Sequence, residues 1–362
     1  MLNIFDKYIA SKFFKTFFFV VLIFAMIASV IDFSEKVEKF IETDITRYQI
    51  MFEYYPNFVI YISGLLWPLF TLIAVIFFTS RMAFNSEIIS VFNAGISFQR
   101  LLKPYLVVAT VLAIMQFAGN HYFIPQGNKK RLSIERQFIW QNNDKGKTTN
   151  VHMFLEPNTK IYVNSYNKRD SSARNFMMEH YEDGKLVYLL KANPAEWLGP
   201  PNNWRLKNYT IRTFNEMDES LTLGSGKQID TTFNLTPDDF VDFLNQQSEM
   251  TTPELTAYID DRVTRGTGGT EKYEIELYRR TAEPFTILIL TLIGVAIAAR
   301  KVRGGIGLHL AIGVAVGAMY ILLSRFAIVF ATGQVLPPML GIWFPNIVFG
   351  IIAGYLVANA QK

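Results

Sequence analysis

Residues 54–80 read YYPNFVIYISGLLWPLFTLIAVIFFTS, a run without a single Asp, Glu, Lys or Arg. A helix needs about 20 mainly apolar residues to cross the hydrocarbon core of a bilayer, so this run predicts a transmembrane span. The whole chain is 50% hydrophobic and 18% charged, whereas a typical globular domain has about 25% charged residues. The composition therefore favours an integral membrane protein.

Five further apolar runs predict spans of the same kind. They lie at residues 13–31, 104–124, 284–299 with a helix start near Tyr278, 304–331 and 338–358. The stretch between the last two, residues 332–338, contains Gly and Pro and predicts a tight turn. Six spans place both ends of the chain on the same side of the membrane.

The distribution of charge indicates which side that is. Residues 1–15, 80–103, 300–304 and 362 carry ten Lys and Arg against two acids, whereas the rest of the chain carries 25 basic and 29 acidic residues. Loops rich in Lys and Arg remain in the cytoplasm. We therefore predict a multi-pass membrane protein with both termini cytoplasmic. The net charge of +4 is too small to indicate a nucleic-acid partner.

A polar insertion separates the third span from the fourth. Its short alternating runs predict strands, and Asp183-Gly184 between two of them predicts a hairpin with a type I′ turn. Gly224-Ser225-Gly226 predicts another turn, and residues 252–263 predict an amphipathic helix. The insertion is expected to be an antiparallel β sandwich or barrel on the side opposite the cytoplasm. The predicted organisation is spans one to three at residues 1–124, the β domain at 125–250, a helical connector at 251–277 and spans four to six at 278–362.

The chain carries few signs of chemistry of its own. It has no Cys, which excludes disulfides, thiolate zinc sites and iron–sulfur clusters. It has no G-x-x-x-x-G-K-[ST] loop for ATP. Its four His are scattered, so a zinc site is not expected. We expect no cofactor, no metal and no catalytic residues, and ATP hydrolysis, if used, would occur on a partner chain.

The cytoplasmic loop between spans two and three reads RMAFNSEIISVFNAGIS at residues 81–97 and predicts a short helix at about 85–95. Glu87 would lie in its first turn, where a negative charge is favoured, and Gly95 would end it. Three residues at helical spacing would form its apolar face: Ile88, Val91 and Phe92. A membrane subunit needs such a helix to dock into a groove on an ATPase. The alternative is a connecting helix that lies on the lipid surface.

This loop resembles that of the lipopolysaccharide export permeases LptF and LptG (the YjgP/YjgQ family), which carry the motif S-E-[LI]-x-x-[ML]-x-x-[SA]-G there. Further short matches follow in the family's order: Asp6-Lys7-Tyr8-Ile9, Pro125-Gln126-Gly127, Asn234-Leu235-Thr236-Pro237 and Leu336-Pro337-Pro338. Each match is weak alone, but their order and spacing together are specific. The resemblance covers the whole chain and is greatest to the LptG type.

The resemblance implies a fold, a set of partners and a route. The fold is six transmembrane helices with a periplasmic β-jellyroll domain. One LptF-like and one LptG-like subunit pair with an LptB-like ATPase dimer. The complex extracts lipopolysaccharide from the inner membrane and passes it to LptC-like and LptA-like periplasmic jellyroll proteins. The helix near Glu87 resembles the coupling helix that enters the ATPase, and spans one and five resemble the lateral gates of the lipid cavity.

A lipid that carries phosphates calls for basic residues at the outer membrane surface. Lys36 and Lys39 follow span one and share a helical face, and Lys39 falls where LptG proteins carry a basic residue associated with lipid phosphate. The alternative is that both lysines pair with the neighbouring acids. Arg325 lies inside the outer end of span five, where it would face a cavity or reach the headgroups. Candidate apolar residues of the gate on span one are Phe24, Ile27 and Ile31.

Two other functions remain open at the level of sequence. One is a membrane-anchored periplasmic binding or signalling module that works without an ATPase, and such a module would not need the helix near Glu87. The other is a lipoprotein-release or mechanotransmission permease. Permeases of that kind usually have four spans, so the six predicted here argue against it.

Overall fold

The computed structural model describes residues 3–139, 149–167, 170–200, 202–215, 218–240, 245–265, 270–300, 302 and 305–360. The chain divides into two compact units. The membrane unit comprises residues 1–139, 247–255 and 271–362, and the β unit comprises residues 140–246 and 256–270. Three basic residues used to predict the orientation, Lys301, Arg303 and Lys362, lie outside the described residues.

Six helices in the described part of the chain are long and apolar enough to cross a membrane, so the predicted number of spans is confirmed. They are α1, α2, α4, α7, α8 and α9. The helices are α1 (Ile4–Glu42), α2 (Tyr55–Phe84), α3 (Glu87–Asn93), α4 (Phe98–Ala118), α5 (Ile124–Ile134), α6 (Thr252–Arg265), α7 (Glu271–Ala298), α8 (Gly305–Thr332) and α9 (Pro338–Asn359). π-Helical turns extend α2, α4 and α5, at Gln49–Tyr54, Gly119–Phe123 and Glu135–Ile139.

The third span continues beyond its predicted end at residue 124. Helical conformation runs through α5 to Ile139, and the first strand begins only at Thr149. Pro125 is the second residue of α5, directly after the π-helical turn Gly119–Phe123. The predicted start of the β insertion at residue 125 is therefore too early.

Helix α7 lies at the centre of the membrane unit and packs against α2, α4, α8 and α9. About 61% of its most apolar stretch is buried, compared with 22% for α1 and 17% for α8. Helices α1 and α8 therefore turn most of their apolar surface away from their own chain. In a membrane protein such a surface faces lipid or another subunit.

Helix α8 contacts the rest of the unit through a narrow stripe of small residues. Gly313 and Gly317 are buried against α2. A Cβ on Gly313 would overlap Ile76, and one on Gly317 would lie 2.6 Å from Leu69 Cδ1. Small residues at a spacing of four let two helix backbones approach closely within a membrane.

The described part of the β unit contains one antiparallel sheet of eight strands, so an antiparallel β domain between the third and fourth spans is confirmed. The strands are β1 (Thr149–Glu156), β2 (Thr159–Asn167), β3 (Ser172–Arg174), β4 (Phe176–Glu182), β5 (Lys185–Ala192), β6 (Ala195–Gly199), β7 (Asn203–Asn215) and β8 (Asp218–Thr232). Strand β2 pairs with β3 and β4, and strand β7 pairs with β5 and β6. Because β3 also pairs with β6, and β4 with β5, the pairings close a circuit of strands. Strands β1 and β8 add to the outside of this circuit.

Two turn predictions in the β unit had opposite outcomes. Asp183 and Gly184 both have positive φ, 49° and 77°, and join β4 to β5, which confirms the predicted hairpin. The predicted turn at Gly224-Ser225-Gly226 is wrong, because β8 runs through these residues. The glycines instead accommodate a bulge opposite Asn208, whose side-chain oxygen accepts a hydrogen bond from the Gly226 N–H at 3.0 Å.

Candidate functional site

Helix α3 is a seven-residue helix between α2 and α4, at the position predicted from the loop motif. It ends as predicted at Gly95, which has a φ of +80°. The Gly95 N–H donates to the carbonyl of Phe92, and the Ile96 N–H donates to the carbonyl of Val91. This pair of bonds is a Schellman motif, which needs a residue with positive φ at the position of Gly95.

The outward surface of α3 differs from the predicted face. Ile88 is fully buried in the core of the membrane unit, and Val91 is half-buried. Phe92 is exposed as predicted, and it is joined by Ile89 on α3 and Phe84 at the end of α2. Helical periodicity missed Ile89 and Phe84 because it cannot reveal that the flanking helices cover Ile88. The exposed apolar surface at this loop is therefore Phe84, Ile89 and Phe92.

Glu87 begins α3 and is half-buried. Its carboxylate accepts hydrogen bonds from the Tyr8 hydroxyl at 3.3 Å and from the Asn85 side-chain amide at 3.4 Å. Both bonds are long, so the carboxylate remains able to accept a stronger bond from a partner. Tyr8 was not predicted to take part, although it belongs to the opening motif of the chain.

A second contact joins α1 to the same region of the membrane unit. Asp6 is buried, and its two carboxylate oxygens accept bonds from the two terminal nitrogens of Arg100, at 2.7 and 2.9 Å. Arg100 lies in the first turn of α4, directly after the loop of α3. Bidentate Arg–carboxylate pairs fix relative orientation as well as distance. Sequence reasoning missed this pair because 94 residues separate its members.

At the other end of α1, Lys36 lies inside a network of polar side chains. Its ammonium donates to Asp32 at 2.5 Å, to Glu135 at 2.8 Å and to the Tyr54 hydroxyl at 2.5 Å. The Tyr54 hydroxyl also donates to Glu135, at 2.8 Å. The Glu135 side chain has no exposed surface and also pairs with Arg131 at 2.9 Å. With its donors occupied in this way, Lys36 is not available to a lipid phosphate in this conformation.

The network extends along α5 to a segment near the β unit's attachment. Arg131 donates to the Asn128 side-chain oxygen, and the Asn128 amide donates to the Ser248 hydroxyl at 2.7 Å. Arg280 on α7, which is fully buried, donates to the carbonyls of Gln247 and Met250. Side chains of α5 and α7 thus hold residues 247–252 in place within the membrane unit.

Lys39 and Arg325 differ from Lys36 in their exposure. Lys39 is about half-exposed, and its hydrogen bond goes to the equally exposed Glu42 at 2.9 Å. Arg325 on α8 is exposed and has no ion-pair or hydrogen-bond partner within the described residues. Either cation can therefore accept an anionic group without the loss of a buried bond.

The three apolar residues predicted for span one all face outward. Ile27 and Ile31 are more than half-exposed, and Phe24 is 38% exposed while its ring packs 5.1 Å from that of Phe70 on α2. Met26 and Val30 of α1 are also exposed. Phe24, Ile27 and Ile31 lie on α1 and Arg325 on α8, the two least buried spans of the membrane unit.

The β unit contains a separate cavity of about 540 Å³. Its apolar wall is formed by Leu155, Met178, Val187, Tyr188, Phe214 and Phe233, and its polar lining includes Glu156, His180 and Glu182. No group of three potential metal ligands occurs among the described residues. The lining of this cavity therefore combines apolar and polar side chains.

Comparison with known proteins bears on the whole chain rather than on one site. The model of the family described as lipopolysaccharide export system permease LptF/LptG matches residues 7–359. The chain belongs to the LptF/LptG family. No curated protein matches the chain.

Membership of the LptF/LptG family applies to the membrane unit and the β unit together. Proteins of this family are permease subunits for lipopolysaccharide export, and they are not themselves enzymes. The six apolar helices agree with an integral protein of the inner membrane. The family match spans α1 to α9, so both units of this LptF/LptG chain belong to one permease.

Proposed function

We propose that this chain is the LptG-type permease subunit of an ABC-type lipopolysaccharide exporter. It extracts lipopolysaccharide from the inner membrane and passes it to a periplasmic bridge, driven by a separate ATPase dimer of the LptB type. Both termini and α3 lie in the cytoplasm, and the β unit lies in the periplasm. The excess of Lys and Arg in the segments assigned to the cytoplasm supports this orientation.

The exposed surface around α3 is the observation that supports dependence on an ATPase. Phe84, Ile89 and Phe92 are exposed apolar residues beside the partly exposed carboxylate of Glu87. An apolar groove with a basic residue at its edge would cover this surface and bind Glu87. Val91 and Gly95 support the helix, and Ile88 anchors it to the membrane unit.

The lipid would lie against α1 and α8. Their outward surfaces are apolar, and Lys39 and Arg325 supply positive charge that buried partners do not neutralise. Exposed ion pairs such as Lys39–Glu42 contribute little to stability, so a phosphate can replace Glu42 at low cost. A second six-span subunit of the LptF type would enclose the lipid from the other side. The basic residue at position 39 supports the LptG type over the LptF type.

The β unit would receive the lipid after extraction. Its cavity has an apolar wall of suitable chemistry for acyl chains. LptC-like and LptA-like jellyroll proteins would continue the path towards the outer membrane. The same cavity is the one feature that favours the alternative function, a membrane-anchored binding module that works without an ATPase.

Affinity purification from the native host in mild detergent separates the two functions. The exporter predicts that a tagged chain brings with it an ATPase and a second six-span subunit. It also predicts that added lipopolysaccharide changes the rate of ATP hydrolysis. A chain that purifies alone, with neither ATPase nor lipid, contradicts the exporter and leaves the binding module.

A variant of Glu87 tests the docking surface within the same experiment. Glu87→Ala is expected to weaken the ATPase's association or to uncouple hydrolysis from export. Glu53→Ala is the matched control, because Glu53 is an exposed acid remote from α3 in sequence. Unchanged ATPase binding and unchanged export in Glu87→Ala would exclude the coupling role of this residue.

A further inference from the structure

The cytoplasmic end of α1 is attached to the loop of α3 by contacts of two kinds. The polar contacts are the Asp6–Arg100 ion pair and the hydrogen bond from the Tyr8 hydroxyl to Glu87. The apolar contacts lie in one core cluster that contains Ile9 of α1 together with Ile88 of α3. Three separate segments of the chain, at the start of α1, at α3 and at the start of α4, are therefore bound to one another.

Helix α1 changes its surroundings along its length. Ile9, Phe13 and Phe17 in its cytoplasmic half have no exposed surface. Ile27 and Val30 in the outer half are 51% and 68% exposed. The half that adjoins α3 is thus fixed by packing. Beyond it the helix is largely exposed around Ile27 and Val30, before Lys36 joins its other end to Tyr54 and Glu135.

This arrangement determines how a displacement of α3 would travel. A packed group of side chains moves as a body because cores are rearranged in discrete steps and are not continuously deformable. Arg100 and Asp6 are joined by two parallel bonds, which resist rotation of α1 against α4. A force on α3 would therefore act directly on the cytoplasmic half of α1 and, through the continuous helix, on the exposed stretch around Ile27 and Val30.

We infer that Asp6, Tyr8 and Arg100 are positioning residues that bind the start of α1 to α3, so that the ATPase moves α1 directly when it displaces α3. This inference rests on the proposed function, since it assumes that an ATPase docks on α3. It adds a connection between α3 and α1, which the docking surface of α3 alone does not supply. The connection acts at the cytoplasmic end of the helix that faces the lipid.

The test uses the complete complex in proteoliposomes that contain phospholipid and purified lipopolysaccharide. ATP hydrolysis and lipopolysaccharide release are measured together, and their ratio is compared between variants. Because bonds to charged groups are strong, Arg100→Gln is expected to lower lipid release per ATP by about tenfold. Arg100→Lys keeps the charge and is expected to restore part of the loss.

Tyr8→Phe provides a milder variant in case Arg100→Gln does not fold. Tyr8 is 42% exposed, so loss of its hydroxyl leaves the core intact, and we expect a fall in the ratio of about threefold. Matched controls are Tyr122→Phe, an exposed tyrosine outside this group, and Lys15→Gln, an exposed lysine of α1. Both controls are expected to keep the unaltered ratio.

A distance measurement distinguishes positioning from general stability. The chain has no Cys, so spin labels can be placed at Lys12→Cys on α1 and Asn93→Cys on α3 without further changes. In the otherwise unaltered complex the distance between the labels should be the same with and without vanadate-trapped nucleotide. With Tyr8→Phe or Arg100→Gln added, the distance should differ between the two states.

The outcomes separate this inference from the proposed function. If the unaltered complex exports lipid but Tyr8→Phe and Arg100→Gln keep its ratio and its constant distance, the positioning role is overturned while the exporter stands. A constant distance despite a lowered ratio also overturns it, since the residues would then act elsewhere. If no ATPase assembles with the unaltered chain, the exporter and this inference both fall.

Discussion

Lys36 and Lys39 are one turn apart on the same helix, yet their neighbours give them different physical roles. Lys36 is surrounded by Asp32, Glu135 and Tyr54, all of which are buried, whereas Lys39 contacts one exposed acid. When one member of a buried ion pair is removed, the other is left with uncompensated charge in surroundings that solvate it poorly. We therefore assign Lys36 to the stability of the outer end of α1.

The two lysines give a paired prediction. Lys36→Met leaves Asp32 and Glu135 without their shared cation, so it should lower the free energy of unfolding by about 3–5 kcal/mol. Lys39→Met makes the same change at an exposed position and should leave the stability unchanged. Thermal unfolding in detergent, followed by tryptophan fluorescence, measures the difference. Equal melting temperatures for the two variants would contradict the assignment of Lys36.

Gly95 carries a prediction about the end of α3. Its φ of +80° is unfavourable for a residue with a Cβ, and no atom lies close enough to obstruct one. Gly95→Ala should therefore cost about 1–2 kcal/mol through backbone strain alone, loosening α3 and weakening ATPase binding. Gly354→Ala in α9, where there is equal space and helical backbone, is the control and should bind the ATPase normally. Equal ATPase retention by both variants would show that the turn is not needed for docking.

At the scale of single elements, α8 combines a narrow attachment with a wide free surface. The stripe that contains Gly313 and Gly317 is its closest approach to α2, and Phe326 and Val329 are among its many exposed residues. Gly313→Ala should lower stability by about 1–3 kcal/mol, because the added Cβ would overlap Ile76, which is fully buried and has little room to move. Gly307→Ala on the same helix meets no atom and is the control. Similar melting temperatures for both variants would mean that α8 is held in some other way.

The elements also show what local sequence can and cannot predict. Apolar runs predicted all six spans, because crossing a bilayer requires a length and a composition that are both visible in the sequence. Asp183-Gly184 predicted its hairpin because few residues other than Gly, Asn and Asp accept positive φ. The glycines at 224 and 226 misled the same reasoning, since a bulge inside a strand also uses positive φ at Gly226. Only the partner strand β7 distinguishes the two structures.

The ion pairs between distant positions could not be predicted from the sequence for a related reason. Lys36 and Glu135 are 99 residues apart, and Asp6 and Arg100 are 94 apart, so no local pattern links them. The family motif correctly marked α3, but it did not show that Ile88 is buried while Ile89 is exposed. The helix α3 was therefore predictable, whereas the surface that it presents and its attachment to α1 required the packed structure.

At the scale of the whole molecule, the proposed orientation can be tested with the cysteine-free chain. Lys185→Cys lies in the hairpin of the β unit and Asn93→Cys lies in α3, and both positions are exposed. A membrane-impermeant maleimide should label position 185 in intact spheroplasts and position 93 only after the membrane is opened. The reverse pattern would place the β unit in the cytoplasm and would contradict the proposed exporter.

The central place of α7 affects how the protein is made. The chain leaves the ribosome in order, so α1 to α5 enter the bilayer before α7, which packs between α2 and α4, has been synthesised. Roughly 130 residues separate Ile139 from Glu271, and at about 5–20 residues per second their translation takes on the order of ten seconds. During that interval the first half of the bundle waits in the membrane with its central groove unfilled. Nascent chains paused in this interval are therefore the form in which this permease most needs the protection of an insertase.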